Sequence, residues 1–258
     1  MLTVIIPFKD KIDLLEKCIN SIYKYDAGIP LEILLINNKS RGKGVKKLIE
    51  SIFNNNSFNY VNLIEVEDPF NYSKSINMAV GQSRFENILL LNNDTLIKTK
   101  KWGDKICNFL NKGKIGCVGI KLLNQDESIQ HLGIKLDFKS GAKEITEQSI
   151  VNEKEYMGIK YFDTKAVSAA FMAIKKPIFL RLNGMNENIF PLTFNDVHLS
   201  LKAYESGLQN VCITNIKAIH KGGATRNSIP INTSFKIKRR FEKMMIKIRI
   251  LYHLFKIK

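Results

Sequence analysis

The feature that most constrains the fold is an apolar run that ends abruptly in polar residues. Leu89, Leu90 and Leu91 are followed directly by the segment Asn92-Asn93-Asp94-Thr95. Such a run predicts a buried parallel strand, and a carboxylate at the end of this kind of strand commonly holds a ligand or a metal in α/β proteins. An Asn/Asp turn that satisfies only local backbone groups is the alternative interpretation.

Strand and helix patterns alternate through the first ninety residues. Strands are predicted at 3–6, 32–36, 61–66 and 88–91, and amphipathic helices at 13–25, 42–53 and 72–83. This order predicts an α/β fold, with a mostly parallel central sheet and helices on both of its faces. Ligands bind such sheets beyond the carboxyl ends of the strands, which here are Pro7-Phe8-Lys9, Asn37-Asn38 and Asn92-Asn93-Asp94.

Composition is that of a globular protein with a substantial core. The chain has 258 residues, of which 45% are hydrophobic and 25% are charged, so disorder is not expected. No apolar stretch reaches the roughly 18 to 20 residues of a membrane span, and the N-terminus lacks the basic region of a signal peptide. We therefore expect a cytoplasmic protein. The four cysteines are scattered, which predicts reduced core thiols and neither a zinc site nor a disulfide framework.

Positive charge is the unusual bulk property. A formal net charge of +16 predicts attraction to an anionic partner. The segment 236–258 holds nine basic residues and one acidic residue, Glu242, so half of the excess lies in the last tenth of the chain. Nucleic acid is not the favoured partner, because no helix-turn-helix, ribonucleoprotein or zinc-finger pattern accompanies the charge.

The same C-terminal segment has a helical period. Its apolar residues form one stripe on a helix: Ile237, Phe241, Met244, Met245, Ile248, Leu251, Tyr252 and Phe255. A basic amphipathic helix of this kind is typical of peripheral binding to an anionic membrane surface. Two alternatives stay open: the stripe packs on the catalytic core, or the helix is a linker at a truncated or dimeric boundary.

Two common nucleotide-binding motifs are missing from the sequence. There is no Gly-x-Gly-x-x-Gly after the first strand and no Gly-x-x-x-x-Gly-Lys-Ser/Thr, so neither a dinucleotide fold nor a P-loop is indicated. A bound nucleotide would have to be held by side chains at strand ends and by a metal that bridges its phosphates.

The second half adds a carboxylate and a histidine. After the hydrophobic run 166–174, the segment 193–201 predicts a helix that Gly207 ends. Asp196 lies near the start of this helix, where it is either a cap or a reactive carboxylate. A further strand at 210–214 leads to His220, which on its own is more typical of a structural histidine than of a ligand.

Together these segments resemble glycosyltransferase family 2, the inverting nucleotide-sugar transferases with the GT-A fold. The opening segment 3–10 is similar to the family's first strand and nucleotide loop. The segments that resemble the branch building rhamnose-containing and related bacterial surface polysaccharides are 69–77, 91–95, 129–134 and 194–197.

The resemblance extends to about Ser228. It therefore implies a GT-A glycosyltransferase domain at 1–228, followed by the basic amphipathic helix at 229–258.

Roles carried over from the family fall on a small set of residues. The resemblance implies that Asp94 and His220 bind a divalent metal, Mg²⁺ or Mn²⁺, and that Asp196 is the catalytic base on the acceptor hydroxyl. Arg226 is expected to contact the diphosphate, although an exposed loop arginine is the alternative. The other residues expected to bind the nucleotide sugar are Pro7, Phe8, Lys9, Asn37, Asn71, Lys74, Asn92 and Asn93.

Four positions depart from the family pattern. Asn92, Asn37 and Asn195 stand where the family usually has acidic residues, and His198 stands where the branch often has aspartate. An amide can both donate and accept, so Asn37 could still contact the base ring. The departures affect the nucleotide's identity and the metal affinity more than the reaction.

The resemblance implies a metal-dependent inverting hexosyltransferase of surface-polysaccharide synthesis. The expected partners are a nucleotide-sugar donor and a saccharide or lipid-linked acceptor, with no nucleic acid; a homodimer stays open. The expected location is the cytoplasm or the inner face of the cell membrane. The alternatives are a nucleotidyltransferase-like enzyme and a degenerate member that serves as a nucleotide-binding or scaffold subunit.

Overall fold

A computed structural model of the chain describes residues 1–54, 60–67, 69–134, 158–222 and 233–256, with side chains from 236 to 252 in the last range. The strands are β1 (Leu2–Phe8), β2 (Leu31–Asn37), β3 (Tyr60–Glu65), β4 (Asn87–Leu91), β5 (Thr95–Ile97), β6 (Ile115–Leu123), β7 (Ile129–His131), β8 (Tyr161–Thr164), β9 (Phe171–Lys175) and β10 (Gln209–His220). The helices are α1 (Ile12–Lys24), α2 (Lys43–Phe53), α3 (Tyr72–Gln82), α4 (Trp102–Leu110), α5 (Lys176–Arg181), α6 (Asn195–Glu205) and α7 (Thr233–Lys256).

The strands form one sheet in the order β3-β2-β1-β4-β9-β6-β10-β5, with β7 paired to β6 and β8 paired to β10. The pairs β1/β2, β2/β3, β1/β4 and β6/β10 are parallel. Strand β9 runs antiparallel to both of its neighbours, β4 and β6, so these neighbours share one direction. The carboxyl ends of β1, β2, β4, β6 and β10 therefore lie along the same edge of the sheet.

Helices cover both faces of this sheet. One face carries α1, α2 and α4, which contribute residues such as Leu15, Val45 and Trp102 to the larger hydrophobic cluster. The other face carries α3, α5 and α6, which contribute residues such as Ile76, Phe179 and Leu199. Strands buried from both sides need apolar residues throughout, and both β1 and β2 are buried at every position.

The predicted α/β fold is confirmed, and the predicted elements of the first ninety residues agree with the observed ones to within about two residues at each end. The antiparallel strand β9 was not predicted, because its apolar run carries no signal of direction. The elements β5, β6, β7, β8, α4 and α5 were not assigned from the sequence.

Strand β10 is longer than the predicted segment 210–214. Its register against β6 shifts between Ile213 and Lys217, and the polar pair Thr214-Asn215 lies in this irregularity. A shift of this kind interrupts the period-two pattern that marks a strand in the sequence. Beyond this irregularity β10 continues to His220, which pairs with Thr95 of β5, shortly after the end of β4.

The four cysteines are all buried and free, as predicted. Among the residues described, no helix combines the length and the apolar character needed to cross a bilayer.

Helix α7 packs on the domain, but through the face opposite to the predicted apolar stripe. Its inner face carries Glu242, Ile246 and Ile250, which are all buried. The two isoleucines join a cluster that contains Ile134, Ala166, Phe190, Val197 and Leu201. Arg249 also forms an ion pair with Glu205, at the end of α6.

Most of the predicted stripe faces outward. The exposed members, between 42% and 60% exposed, are Ile237, Phe241, Met244, Ile248, Leu251 and Tyr252. Met245 is half-buried against the inner cluster, and the side chain of Phe255 lies outside the described residues. The alternative in which this stripe packs on the catalytic core is therefore wrong for the six exposed residues.

His198 of α6 lies between the domain and α7 without a hydrogen-bond partner for Nδ1 among the described residues. Its ring contacts the Phe190 ring, with 4.7 Å between centroids. Burial, and then the positive charges of Lys202 and Arg249, lower the pKa of His198 from 6.5 to about 4. The folded protein therefore holds this histidine neutral at pH values where the unfolded chain binds a proton.

We expect this histidine to make the fold sensitive to acid. Its contribution is fully present above pH 6.5 and is lost as the pH falls to about 4, where up to about 3 kcal/mol disappears. Urea unfolding between pH 7 and pH 4 measures the loss. His198→Leu, which cannot titrate, should flatten the profile in this window; an unchanged profile would assign the acid sensitivity to other groups.

Candidate active site

The first carboxylate of the site, Asp94, lies in a tight turn after β4. The turn is closed by a hydrogen bond from Thr95 N to Asn92 O of 3.1 Å. The start of β9 holds it, because Ala170 O accepts from Asn92 N at 3.2 Å and from Thr95 Oγ1 at 3.2 Å. Asp94 is 5% exposed, so its carboxylate is fixed and partly desolvated.

His220 meets this turn from the end of β10. Its Nε2 lies 3.3 Å from Asp94 Oδ1 and 3.5 Å from Asn92 Nδ2. Its Nδ1 lies 2.6 Å from Gln130 Oε1, and because an amide oxygen only accepts, Nδ1 must be the donor. In the neutral ring, Nε2 then presents a lone pair to the Asp94 carboxylate.

These two ligand atoms fit one divalent cation. With a neutral ring, two acceptors face each other at 3.3 Å, which favours a cation between them; adjacent ligands of an octahedral ion with bonds of about 2.1 Å lie about 3 Å apart. Within the described ranges, no group of three or more His, Cys, Asp and Glu residues gathers around a potential metal position. An ion held by Asp94 and His220 would therefore need further ligands from amides, water or bound phosphates.

The second carboxylate, Asp196, lies in the first turn of α6. The residue before the helix, Phe194, has a φ of 57°, and no side chain caps the helix by a hydrogen bond. Asp196 Oδ1 accepts from Val197 N at 2.8 Å, while Oδ2 accepts from Ala169 N at 3.0 Å, outside the helix. Asp196 is therefore more than a local cap, since it is tied to the segment that precedes β9.

Tyr72, the first residue of α3, connects the two carboxylates electrostatically. Its hydroxyl is buried and has no hydrogen-bond partner among the described residues. Burial, and then the negative charges of Asp196 and Asp94, raise the pKa of this hydroxyl. Both carboxylates thus contribute to the raised pKa of one buried hydroxyl.

The segment Ser168–Ala170 holds the two carboxylate segments together. The Ala169 N–H binds Asp196, and the Ala170 carbonyl binds the Asp94 turn. His131 supports this segment, because its Nε2 accepts from Ser168 N at 3.4 Å and from Gly133 N at 3.2 Å. The relative position of the carboxylates is therefore set by backbone groups at the start of β9.

The ends of β1 and β2 lie side by side, as predicted. Pro7 and Phe8 are buried at the end of β1, and Lys9 follows as a half-buried residue. Asn37 closes the turn after β2, since its Nδ2 donates to Ser40 O at 3.0 Å and its Oδ1 accepts from Ser40 N at 2.8 Å. These two bonds fix the amide that was expected to contact the base ring of the nucleotide.

The predicted residues of α3 lie at its N-terminus. Asn71 caps the helix by accepting from Lys74 N at 3.0 Å, and its Nδ2 donates to Glu187 O at 3.1 Å. Lys74 is exposed in the first turn of the helix, and Asn93 is buried next to Asp94. Arg226 lies outside the described residues.

The structure thus brings Asn92, Asp94 and His220 into direct contact. Two residues of the site were not predicted from the sequence: Gln130, which orients His220, and Tyr72. Both stand inside motifs that were recognised, but no local pattern indicated their contacts.

Comparison with known proteins agrees with this architecture. Residues 3–182 match the family described as Glycosyl transferase family 2. The O-antigen biosynthesis protein RfbC of Myxococcus xanthus is 27% identical over 232 residues, which are 88% of this chain and 18% of that protein. The chain spans a quarter or less of the curated relatives that it matches.

Solved structures support the same fold. The mannosyltransferase PcManGT from Pyrobaculum calidifontis, in complex with GDP-Man and Mn²⁺, has a TM-score of 0.64 at 17% identity, covering 96% of this chain and 64% of that one. Residues 1–349 of S. aureus TarS, in complex with UDP-GlcNAc, have a TM-score of 0.62 at 17% identity, covering 93% and 65%. The family match extends over more than half of the sequence. The chain therefore belongs to glycosyltransferase family 2 and has the GT-A fold.

Proposed function

We propose that the chain transfers a sugar, with inversion, from a nucleotide diphosphate to a saccharide acceptor in surface-polysaccharide synthesis. The observation that carries the proposal is the pairing of Asp94 with His220, held near a second buried carboxylate, Asp196, by the backbone of Ala169 and Ala170. Asp94 and His220 would hold the metal that binds the diphosphate, and Asp196 would accept the proton of the acceptor hydroxyl.

The donor would lie along the carboxyl edge of the sheet. The ends of β1 and β2 and the N-terminus of α3 border this edge, and exposed Lys74 supplies positive charge there. When bound, a divalent ion would neutralise the charge that develops on the diphosphate leaving group. Asp94 and His220 would hold it, with Gln130 fixing the orientation of the imidazole.

Asp196 would act as the base. An acceptor hydroxyl is a poor nucleophile at neutral pH, so a carboxylate must take its proton during attack. The bonds from Ala169 N and Val197 N hold this carboxylate in one orientation. Attack from the side opposite to the leaving group would invert the anomeric carbon in a single displacement.

A panel of nucleotide sugars is the best way to identify the donor. The solved neighbours hold GDP-Man and UDP-GlcNAc, and the curated relative RfbC is named for O-antigen biosynthesis. We therefore propose a hexose-type donor and an acceptor that carries a growing saccharide on a lipid. Thermal stabilisation by each nucleotide sugar with Mn²⁺ reports binding even without the acceptor.

A catalytically degenerate subunit is the second candidate. It is favoured by amides where the family usually has acids, since Asn92 contacts His220 and Asn37 is bound to Ser40. Stabilisation by a nucleotide sugar without any transfer or hydrolysis would support this role and contradict the enzyme.

Replacement of the base tests the reaction directly. Asp196→Asn keeps the size of the side chain but cannot take a proton, so kcat should fall by a factor on the order of 10² to 10⁴ while donor binding changes little. Asp13→Asn, the same change in the exposed first turn of α1, is the matched control. Near-normal transfer by Asp196→Asn would remove Asp196 from this role.

If Asp94 and His220 bind the same metal ion, the losses of nucleotide affinity caused by replacing them should not add. Asp94→Ala and His220→Ala should each weaken the Mn²⁺-dependent binding of a nucleotide diphosphate. The double variant should lose little more affinity than the single variant with the larger loss, because ligands of one ion act as a unit. Calorimetry with UDP or GDP and Mn²⁺ measures this. Strictly additive losses would place His220 outside the metal's ligands.

The outer stripe of α7 suits an anionic lipid surface. Its exposed apolar residues are flanked by exposed basic residues, which are Lys236, Lys238, Arg239, Arg240, Lys243 and Lys247. The one acidic residue of this segment, Glu242, is buried on the other face. A second copy of the helix would bring like charges together, whereas anionic headgroups contribute about 1 kcal/mol per basic residue.

We expect Phe241→Glu combined with Ile248→Glu to abolish sedimentation with phosphatidylglycerol vesicles at low salt. Both side chains are exposed, so the fold should keep its melting temperature. Leu180→Glu, at an exposed leucine of α5, is the control and should still sediment. Unchanged vesicle binding, or a stable dimer that the double variant dissociates, would contradict the membrane assignment.

A further inference from the structure

Glu242 is a buried carboxylate on an otherwise basic helix. It is the single acidic residue between Lys236 and Lys258, and its side chain faces the domain at 0% exposure. Burial raises the pKa of Glu242 above its ordinary value, while hydrogen bonds from Thr193 and Leu192 act in the opposite direction. A carboxylate is costly to bury unless it is hydrogen-bonded, so its partners define its role.

Both partners belong to the segment that leads into the first turn of α6. Glu242 Oε1 accepts from Leu192 N at 3.0 Å, and Oε2 accepts from the Thr193 hydroxyl. Thr193 is separated from Asp196 by only two residues. The carboxylate of α7 therefore holds the backbone immediately before the proposed base.

This segment is also held by α3. Ser73 of α3 donates from Oγ to Phe190 O at 2.5 Å, and its backbone N–H donates to Pro191 O at 3.4 Å. The segment 190–193 is thus bound by α3 at its beginning and by α7 at its end.

Phe194 explains why such anchoring is needed. It lies between Thr193 and Asn195 with a φ of 57°, a left-handed conformation that is strained for a residue with a side chain. Strained residues of this kind persist only where their surroundings fix them. If the anchor at Leu192 and Thr193 is lost, this turn can relax and move the first residues of α6.

We propose that Glu242 is a positioning residue that sets the Asp196 carboxylate through Leu192 and Thr193. The proposal rests on the proposed role of Asp196 as the base. Helix α7 then contributes to turnover through its inner face, separately from any surface that its outer stripe binds.

Three variants separate positioning from simple packing. Glu242→Leu removes both hydrogen bonds but suits the buried position. Glu242→Gln can restore them, since its carbonyl accepts from Leu192 N–H and its amide donates to the Thr193 hydroxyl. Ile246→Ala is the control, because Ile246 is buried on the same face of α7 and joins the hydrophobic cluster.

The first readout does not depend on activity. Hydrogen exchange of the amides from 192 to 197 should accelerate in Glu242→Leu, but not in Glu242→Gln or Ile246→Ala. Equal acceleration in Ile246→Ala, or none in Glu242→Leu, would overturn the anchoring.

The second readout is the split between kcat and KM, measured on the donor that the nucleotide-sugar panel identifies. Glu242→Leu should lower kcat by a factor on the order of 10 to 10² with an unchanged KM for the donor. Glu242→Gln should recover most of the rate. Ile246→Ala should lower the melting temperature and leave kcat unchanged. If Glu242→Leu does not fold, Thr193→Val removes one of the two bonds and should shift kcat in the same direction.

A double-mutant cycle with the base completes the test. In the Asp196→Asn background, Glu242→Leu should cause no further loss of kcat, because a positioning residue has nothing left to position. Additive losses would overturn the proposal. Should Asp196→Asn itself prove active, the base assignment fails on that result alone, while hydrogen exchange still decides whether Glu242 anchors the segment.

Discussion

The geometry of the site depends on backbone groups of two consecutive residues, Ala169 and Ala170, just before β9. The Ala169 N–H binds the Asp196 carboxylate, and the Ala170 carbonyl accepts from the turn that carries Asp94. These bonds join carboxylates that lie about a hundred residues apart in sequence. Strand β9 can make both because it runs antiparallel between β4 and β6, so its beginning lies at the edge where the parallel strands end.

Helix α7 has two faces with different chemistry. The inner face packs on the domain, and the outer face is exposed. The inner face combines a short apolar contact at Ile246 and Ile250 with polar anchors at Glu242 and Arg249. The outer face is apolar and basic. Since 24 helical residues extend over about 36 Å, one rigid element can contact both an external surface and the segment before Asp196. Contact on one face does not require the other face to repack.

The sequence predicted those features of the fold that leave a recognisable pattern of apolar and polar side chains. Apolar runs located the buried strands, and the polar residues after them located the edge where Asp94 and His220 meet. It could not predict the backbone bonds of Ala169 and Ala170, because a peptide group has no residue signature. The contact of Gln130 with His220 was also invisible, since it spans 90 residues. The inner face of α7 was missed because Ile246 and Ile250 form a shorter row than the outer stripe, and apolar periodicity alone favours the longer one.

The amides at the site follow a consistent pattern. Asn37 and Asn71 are each bound at both ends of the side chain to backbone groups, and so they build the turn after β2 and the start of α3. Asn92 instead faces the imidazole of His220. Replacing an acid by an amide removes negative charge without removing hydrogen bonds, so the edge keeps its shape while its charge falls. With a net charge of +16 on the whole chain, fewer carboxylates at this edge would favour the anionic diphosphate of the proposed donor there, even if each contact to the proposed metal were weaker.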